Sequence, residues 1–269
     1  MNLRGSDALS LKTTVRNRIA SMPFGLRRLL GQRICDLVER LELSTEAPWI
    51  QRPLAGVFED LHDAGLRHLR PDVYLGDEWF SPGGVPAISI PFYLAHPDLR
   101  EIEMIMAGAI EGGTPASIRK LIRHEAGHCF DHAYKIARDF RWRKIFGNSS
   151  RIYLPEVYLP DARSLEHVTH LPGFYAQSHP DEDFAETFAV SITPGMDWQY
   201  RYHDRPQILR KLRFVQALIR RHGRQKPRET AILRTCDARR MRMTLGRYYQ
   251  LRMLREARWE RLQSKLLEA

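Results

Sequence analysis

Apolar side chains recur every three or four residues along much of the chain, which is the spacing of one face of an amphipathic helix. Together with residues that favour helix ends, this spacing predicts six helical segments. They cover residues 24–43, 53–65, 114–137, 181–192, 206–222 and 238–267. Thr114 is a good N-cap, Gly65 suits the position after a last turn, and Pro53 and Pro180 suit helix starts.

Two shorter segments carry the pattern of strands. Residues 72–79 and 87–95 are rich in aromatic and β-branched residues, and the turn-forming sequence 81–84 separates them. Segment 99–109 fits both a helix and a strand. The order of helices, then strands, then helices predicts an α+β fold with a small mixed sheet and a helical C-terminal region.

The composition is that of an ordinary globular protein, because 43% of the 269 residues are hydrophobic and 28% are charged. Disorder over most of the chain is therefore excluded. No apolar run approaches the roughly 18 residues that a membrane-spanning helix needs, and residues 1–21 lack the pattern of a secretory signal. The three cysteines are too few and too far apart for a disulfide framework or a zinc ribbon. We therefore expect a cytoplasmic protein without a membrane partner.

The positive charge is concentrated near the C-terminal end. Residues 201–269 hold 20 Lys and Arg against 6 Asp and Glu, a net charge of +14, whereas residues 1–200 carry −4. We expect a flexible N-terminus (1–22), a main domain (23–200) and a basic helical extension packed on it (201–269). Solvated helix faces explain the basic charge better than a nucleic-acid surface, because this segment has regular apolar spacing and no nucleic-acid-binding motif.

The strongest chemical signal is His-Glu-Ala-Gly-His at residues 124–128, an HExxH motif inside the predicted helix 114–137. Residues four apart lie on one helix face, so the imidazoles of His124 and His128 can reach one metal ion. Glu125 projects beside the open coordination position, where it can accept a proton from a metal-bound water. Zn²⁺ suits two nitrogens and one carboxylate. The alternative is a pair of histidines on a helix surface with no ligand.

A catalytic zinc ion needs a third protein ligand. His132 lies roughly 12 Å along the helix axis from His124, which is too far. Tyr134 occupies the position of the third histidine in the longer HExxHxxGxxH motif. Three histidines of the loop-rich stretch 147–180 could bind, although nothing in the sequence positions them: His167, His170 and His179.

Glu182 and Glu186 are better candidates, because they lie one turn apart on one face of the predicted helix 181–192. One carboxylate can bind the metal, and the other can hydrogen-bond a ligand imidazole and fix its orientation. Spacing alone does not choose between them.

The sequences HEAGH and YAQSHPDEDFAETFA together resemble the gluzincin metallopeptidases, in which the third zinc ligand is a Glu on a separate helix. The resemblance covers residues 121–193. It is closest to a group of bacterial zinc-binding metallopeptidases and to the Mlc titration factor A and lethal-factor types. These types share an Asp three residues after the second histidine, as Asp131 is here, and a Tyr seven residues before the ligand Glu, as Tyr175 precedes Glu182. The chain lacks the large additional domains of the lethal-factor type.

The resemblance implies a zincin-like catalytic domain over residues 23–200 with one Zn²⁺ held by His124, His128 and Glu182. Glu125 is then the general base, and Tyr175 stabilises the oxyanion. Glu186 and Asp131 are implied to hold the ligand side chains in position. We expect hydrolysis of a peptide or protein substrate, which could lie along an edge strand of the region 87–113.

Two alternatives remain. The basic C-terminal region could bring such a protease to DNA, or the protein could bind zinc without catalysis. The presence of Glu125 disfavours the second alternative, because a structural zinc site needs no general base.

Overall fold

The computed structural model of the chain describes residues 5–154 and 158–267, with the side chains of 13–154 and 158–265. Helix accounts for 59% and strand for 5%, which is compatible with the expected α+β class. Residues 1–4 of the predicted flexible N-terminus and residues 268–269 of the predicted extension lie outside the described part. Within that part, every helix is too short or too polar to cross a lipid bilayer.

The elements follow one another in this order: α1 (Gly5–Ser21), α2 (Phe24–Arg27), α3 (Ile34–Arg40), α4 (Pro48–Asp63), β1 (Asp72–Gly76), β2 (Ala87–Pro91), α5 (Pro97–Ala107), α6 (Pro115–Tyr134), α7 (Phe140–Phe146), α8 (Pro180–Ser191), α9 (Trp198–Arg201), α10 (Pro206–His222) and α11 (Leu245–Leu267). Short 3₁₀ turns lie between several of them.

Three of the predicted helices are confirmed as α6, α8 and α10, the last with the predicted bounds. The ambiguous segment 99–109 belongs to helix α5, because Leu99, Ile102 and Met106 lie on one fully buried face. Helices α1, α7 and α9 were not predicted.

Several helix bounds were predicted wrongly, and the last helix begins at Leu245 instead of residue 238. Segment 24–43 is not one helix, since Gln32 and Arg33 are extended and Arg33 forms a β-bridge with Thr244. The second helix begins at Pro48 and contains Pro53 in its interior; its last residue is Asp63, two residues before Gly65. Gly65 has a φ of 94°, the left-handed conformation that glycine adopts freely after a helix.

The sheet consists of β1 and β2, which are parallel and pair from Asp72 with Ala87 to Gly76 with Pro91. Both strands end earlier than predicted, and residues 92–95 form a 3₁₀ turn. The segment that follows β1 in the sequence folds back along the other side of β2. There the backbone N–H of Ser89 donates to the carbonyl of Phe80 at 2.8 Å. Strand β2 therefore lies between β1 and this segment.

Helix α6 runs through the middle of the molecule. Ile118, Ile122 and Cys129 belong to a buried cluster shared with the sheet, α3, α5 and the start of α11. Ala126 and Phe130, on another face, belong to a second cluster shared with α7, α8 and α10. A helix that is apolar on several faces is expected at such a central place.

Candidate metal centre

Helices α6 and α8 approach each other closely beside the HExxH motif. A Cβ atom on Gly127 would lie 2.8 Å from the Cα of Ala185, which is too close for any side chain at position 127. Because Gly127 and Ala185 are small, the backbones of the two helices can approach closely at this point. The approach brings Glu182 of α8 next to His124 and His128 of α6. Gly127 is the sequence signal for this close approach, but residue spacing does not identify Ala185 as the residue that packs against it.

Both helices begin at well-defined caps. The Thr114 hydroxyl accepts from the backbone N–H of Ser117 at 3.1 Å, and Ser117 reciprocates, so α6 begins at Pro115. At the start of α8 the imidazole Nδ1 of His179 accepts from the backbone N–H of Asp181 at 3.2 Å. Glu182 therefore lies in the first turn of α8, where the positive end of the helix dipole favours a carboxylate.

Two buried side chains, His124 and Glu182, converge on one point with the half-buried His128. Glu182 Oε2 lies 2.9 Å from His124 Nε2 and 3.2 Å from His128 Nε2, and the two Nε2 atoms are 3.2 Å apart. Their ligand atoms satisfy the geometry of a group that could hold a metal ion.

Glu186 lies on the other side of the His124 ring and is completely buried. Its Oε1 is 3.0 Å from His124 Nδ1, and its Oε2 accepts from the backbone N–H groups of His170 and Leu171 at 3.0 and 2.9 Å. A carboxylate at Nδ1 favours the tautomer that leaves Nε2 as the acceptor or ligand atom. Glu186 therefore orients His124, and Glu182 completes the cluster.

The carboxylates favour positive charge at this point. Burial works to lower the pKa of His124, but hydrogen bonds to Glu182 and Glu186 outweigh it and raise the pKa well above its usual range. Burial likewise works to raise the pKa of Glu182, yet the imidazoles of His128 and His124 hold the pKa well below normal. A metal ion can replace such protons on the imidazoles.

Glu125 differs from its two neighbours in the motif. Its side chain is buried, and Oε2 has no hydrogen-bond partner among the described residues. Burial raises the pKa of Glu125, because the charged form loses its hydration there. A carboxylate in this state readily accepts a proton.

Tyr175 lies beside the histidines, with its ring centroid 5.6 Å from that of His124. Its hydroxyl is 2.6 Å from the hydroxyl of Tyr153, which sequence analysis did not single out. Burial and the charge of Glu182 raise the pKa of Tyr175, so the phenol stays protonated and can donate a hydrogen bond. No spacing rule marks Tyr153, because it reaches the site from a loop.

Asp131 lies near the end of α6, and its Oδ1 accepts from the backbone N–H of Ala137 at 2.6 Å. The hydrogen bonds described for its carboxylate end on the turn after α6 rather than on a ligand histidine. His132 contacts the carbonyl of Val85 at 3.1 Å through Nδ1, and burial lowers its pKa to about 4.

The three loop histidines lie outside the cluster. The His170 ring donates from Nε2 to the carbonyl of Lys120 at 2.9 Å, and His179 caps α8. His167 Nδ1 lies 3.0 Å from the Ser164 hydroxyl.

A cleft of about 1030 Å³ opens onto His124, Glu125 and Tyr175. Trp79 and Phe80 line one part of it, and Arg252, Arg255 and Trp259 of α11 line another. The C-terminal helix is thus a wall of the cleft. No residue of β2 lines the cleft, and Ser89 of β2 is bridged to Phe80. From the region 87–113, Tyr93 and Glu111 line the cleft, and a substrate edge in this region stays a prediction.

Comparison with models of protein families, with curated proteins and with solved structures finds no match to this chain. The chemistry must therefore be inferred from the side chains themselves. These comprise a His-His-Glu group that could hold a metal ion, an adjacent buried carboxylate without a partner, and a phenol at the same cleft.

Proposed function

We propose that the protein is a zinc-dependent metallopeptidase of the gluzincin type. One observation carries the proposal: the three candidate ligands His124, His128 and Glu182 adjoin a buried Glu125 oxygen without a hydrogen-bond partner, beside an open cleft. A site that served only to bind metal would have no use for such a carboxylate. The resemblance of the motif residues to gluzincins agrees with this interpretation.

The ligand set fits zinc. In a tetrahedral zinc site with bonds of about 2.0–2.1 Å, neighbouring ligand atoms lie roughly 3.3 Å apart. The three interatomic distances here, 2.9, 3.2 and 3.2 Å, are close to that value. Three protein ligands leave a fourth position for water or substrate, as catalytic zinc sites require.

When bound, a zinc ion supplies Lewis acidity that lowers the pKa of a water molecule and polarises the scissile carbonyl. Glu125 takes the proton of the attacking water on its free Oε2 and later delivers it to the leaving amine. Tyr175 donates its phenolic hydrogen to the carbonyl oxygen as negative charge develops there. The hydroxyl of Tyr153 holds that phenol in place through the 2.6 Å hydrogen bond.

The cleft has the character of a peptide-binding groove. Its lining combines aromatic and aliphatic side chains, including Trp79, Leu121 and Trp259, with charged groups such as Lys120 and Arg255. Such a surface can bury substrate side chains while polar groups orient the backbone. The substrate class that we propose is an extended peptide segment.

The decisive experiment is Glu125→Gln. The amide keeps the size of the side chain but cannot act as a base, so turnover of a peptide library should fall by on the order of 10²–10⁴ or more. Zinc content, measured by elemental analysis, should remain at one ion per chain. The matched control is Glu101→Gln, which changes an exposed carboxylate on α5 and should leave both values unchanged.

Full hydrolysis by zinc-loaded Glu125→Gln would contradict the mechanism. Absence of zinc from the unaltered protein would contradict the metal assignment. A protein that binds zinc but hydrolyses no peptide of the library would favour the non-catalytic alternative.

A further inference from the structure

A second surface, separate from the cleft, lies between α7 and α10. Ile145 and Phe214 form its apolar floor, and Arg141, Lys144, Arg210 and Arg221 stand around it. We call this surface the α7–α10 groove. Its α10 residues span positions 210–221, about three turns of helix, and its volume is about 270 Å³. It shares no lining residue with the cleft at the HExxH motif.

The charge of the groove is one-sided. Helices α7 and α10 contain eight Lys and Arg and no Asp or Glu. Arg141 pairs with Asp139 at 2.5 Å, and the Lys144 ammonium lies 5.4 Å from the centre of the Phe140 ring. Among the described residues no carboxylate forms an ion pair with Arg210, and the carboxylate near Arg221 is Asp139, which already pairs with Arg141. The rim therefore retains positive charge that the fold itself does not neutralise.

The floor is apolar but only partly covered. Ile145 and Phe214 are partly buried against the second core cluster, and the Phe214 ring packs at 6.2 Å between centroids on Phe146. Apolar side chains on a rigid two-helix surface are the usual anchor points for an amphipathic helix. The volume lies below the range of about 300–1,000 Å³ that is usual for small-molecule pockets. It suits an anchoring side chain better than a whole small ligand.

We propose that the α7–α10 groove binds an acidic amphipathic helix of a partner protein. Apolar side chains of that helix would cover Ile145 and Phe214, while its Asp and Glu residues would face Arg210, Arg221 and Lys144. Charge complementarity around an apolar centre provides specificity and fast association.

A nucleic acid fits the groove less well. Its phosphates could contact the four basic residues, but they would leave the apolar floor uncovered. The Phe214 ring is also packed against Phe146, whereas base stacking requires a free aromatic face.

The test uses the full chain and a fluorescent 18-residue peptide in which Leu recurs every three or four positions and Glu flanks each Leu. Fluorescence anisotropy measures binding, and the mass of the peptide is checked after each titration. We expect saturable binding that weakens with salt. The double variant Lys144→Glu/Arg210→Glu should bind on the order of tenfold or more weakly. Phe214→Ser tests the floor and should also weaken binding.

The matched control is Arg247→Glu, an exposed arginine on α11 outside both surfaces, which should bind as the unaltered protein does. A peptide of the same composition with scrambled spacing tests the need for an apolar face, and single-stranded and duplex oligonucleotides test the nucleic-acid alternative. Equal binding of the scrambled peptide would show that the groove binds acidic peptides without regard to an apolar face, and it would overturn the proposal. Tighter binding of an oligonucleotide, lost in the double variant, or no peptide binding at all would overturn it too.

Discussion

Glu103 and Glu186 are both completely buried, yet the positive groups beside them differ. Glu103 on α5 faces the guanidinium of Arg252 on α11, with an N–O distance of 2.6 Å. Glu186 on α8 faces the imidazole of His124 on α6 at 3.0 Å. Arginine keeps its charge at every pH that a protein tolerates, whereas the charge of an imidazole comes and goes with a proton or a metal ion.

This difference separates a structural contact from a binding site. Both charges of the pair between Glu103 and Arg252 belong to the chain, and the pair links α5 to α11. The carboxylates around His124 favour positive charge there, and a proton on the imidazole or a metal ion can provide it. The charge of this group therefore depends on the pH and the metal content of the solution. Buried carboxylates alone therefore do not mark a candidate metal centre; the nature of their partners does.

The largest expected effect is on metal binding by Glu182→Ala. This change removes the carboxylate that contacts both histidines, and we expect most of the zinc to be lost. A competition titration against a zinc chelator measures the loss, with Glu101→Ala as the surface control. Normal zinc affinity in Glu182→Ala, combined with loss of the metal in Glu186→Ala, would exchange the two roles.

Arg252→Met should affect folding instead of metal binding. Removing one partner of a buried ion pair costs about 3–5 kcal/mol, because Glu103 is left without a countercharge. Urea unfolding measures the loss, and zinc stoichiometry should not change. The double variant Glu103→Gln/Arg252→Met should recover part of the stability. A loss of zinc that accompanies the single change would show that the two clusters are coupled.

Glu186→Gln should have a smaller effect than Glu182→Ala. The amide keeps an oxygen for the backbone N–H groups of His170 and Leu171, but it no longer holds His124 as a carboxylate does. Loss of such a supporting group typically weakens metal affinity by about 10–100-fold, or about 1.4–2.7 kcal/mol. The same chelator titration checks this, and an unchanged affinity would mean that His124 needs no orienting carboxylate.

The smallest effect concerns His170, whose backbone contacts Glu186 but whose ring stays neutral. Burial lowers the pKa of His170 to about 4, below the value of about 6.5 in an unfolded chain. The unfolded state therefore binds more protons as the pH falls, and stability is lost between about pH 6.5 and 4. This group should cost about 1–2 kcal/mol between pH 6.5 and 5, and His170→Gln should lack that contribution. Parallel pH dependences of the two proteins in urea unfolding would contradict the assignment.

Local spacing was sufficient to predict the parts of the site that lie on single helices. His124, Glu125 and His128 are four residues apart or less, and the helix itself determines which of them share a face. The same holds for Glu182 and Glu186 on α8. Helix α6, which has a Thr114 cap, and helix α10, which has a regular apolar face after Pro206, were predicted for the same reason.

Features that depend on distant parts of the chain could not be predicted in this way. Tyr153 reaches Tyr175 across a loop, and Arg252 reaches the cleft from a helix more than a hundred residues after the motif. The interruption at Arg33 depends on its bridge to Thr244. The spacing of α6 and α8 depends on Ala185 opposite Gly127, which only tertiary packing reveals.

Helix α6 contributes buried side chains to both core clusters, and this has a consequence for the dynamics of the site. The backbone hydrogen bonds around His124 and His128 can open only when packing is lost on both sides of the helix, so we expect this turn to open only on global unfolding. The two imidazoles then keep their spacing over the whole lifetime of the native state. Unlike a small zinc finger, whose folding requires its ion, this protein would present a preformed site to a metal that arrives later.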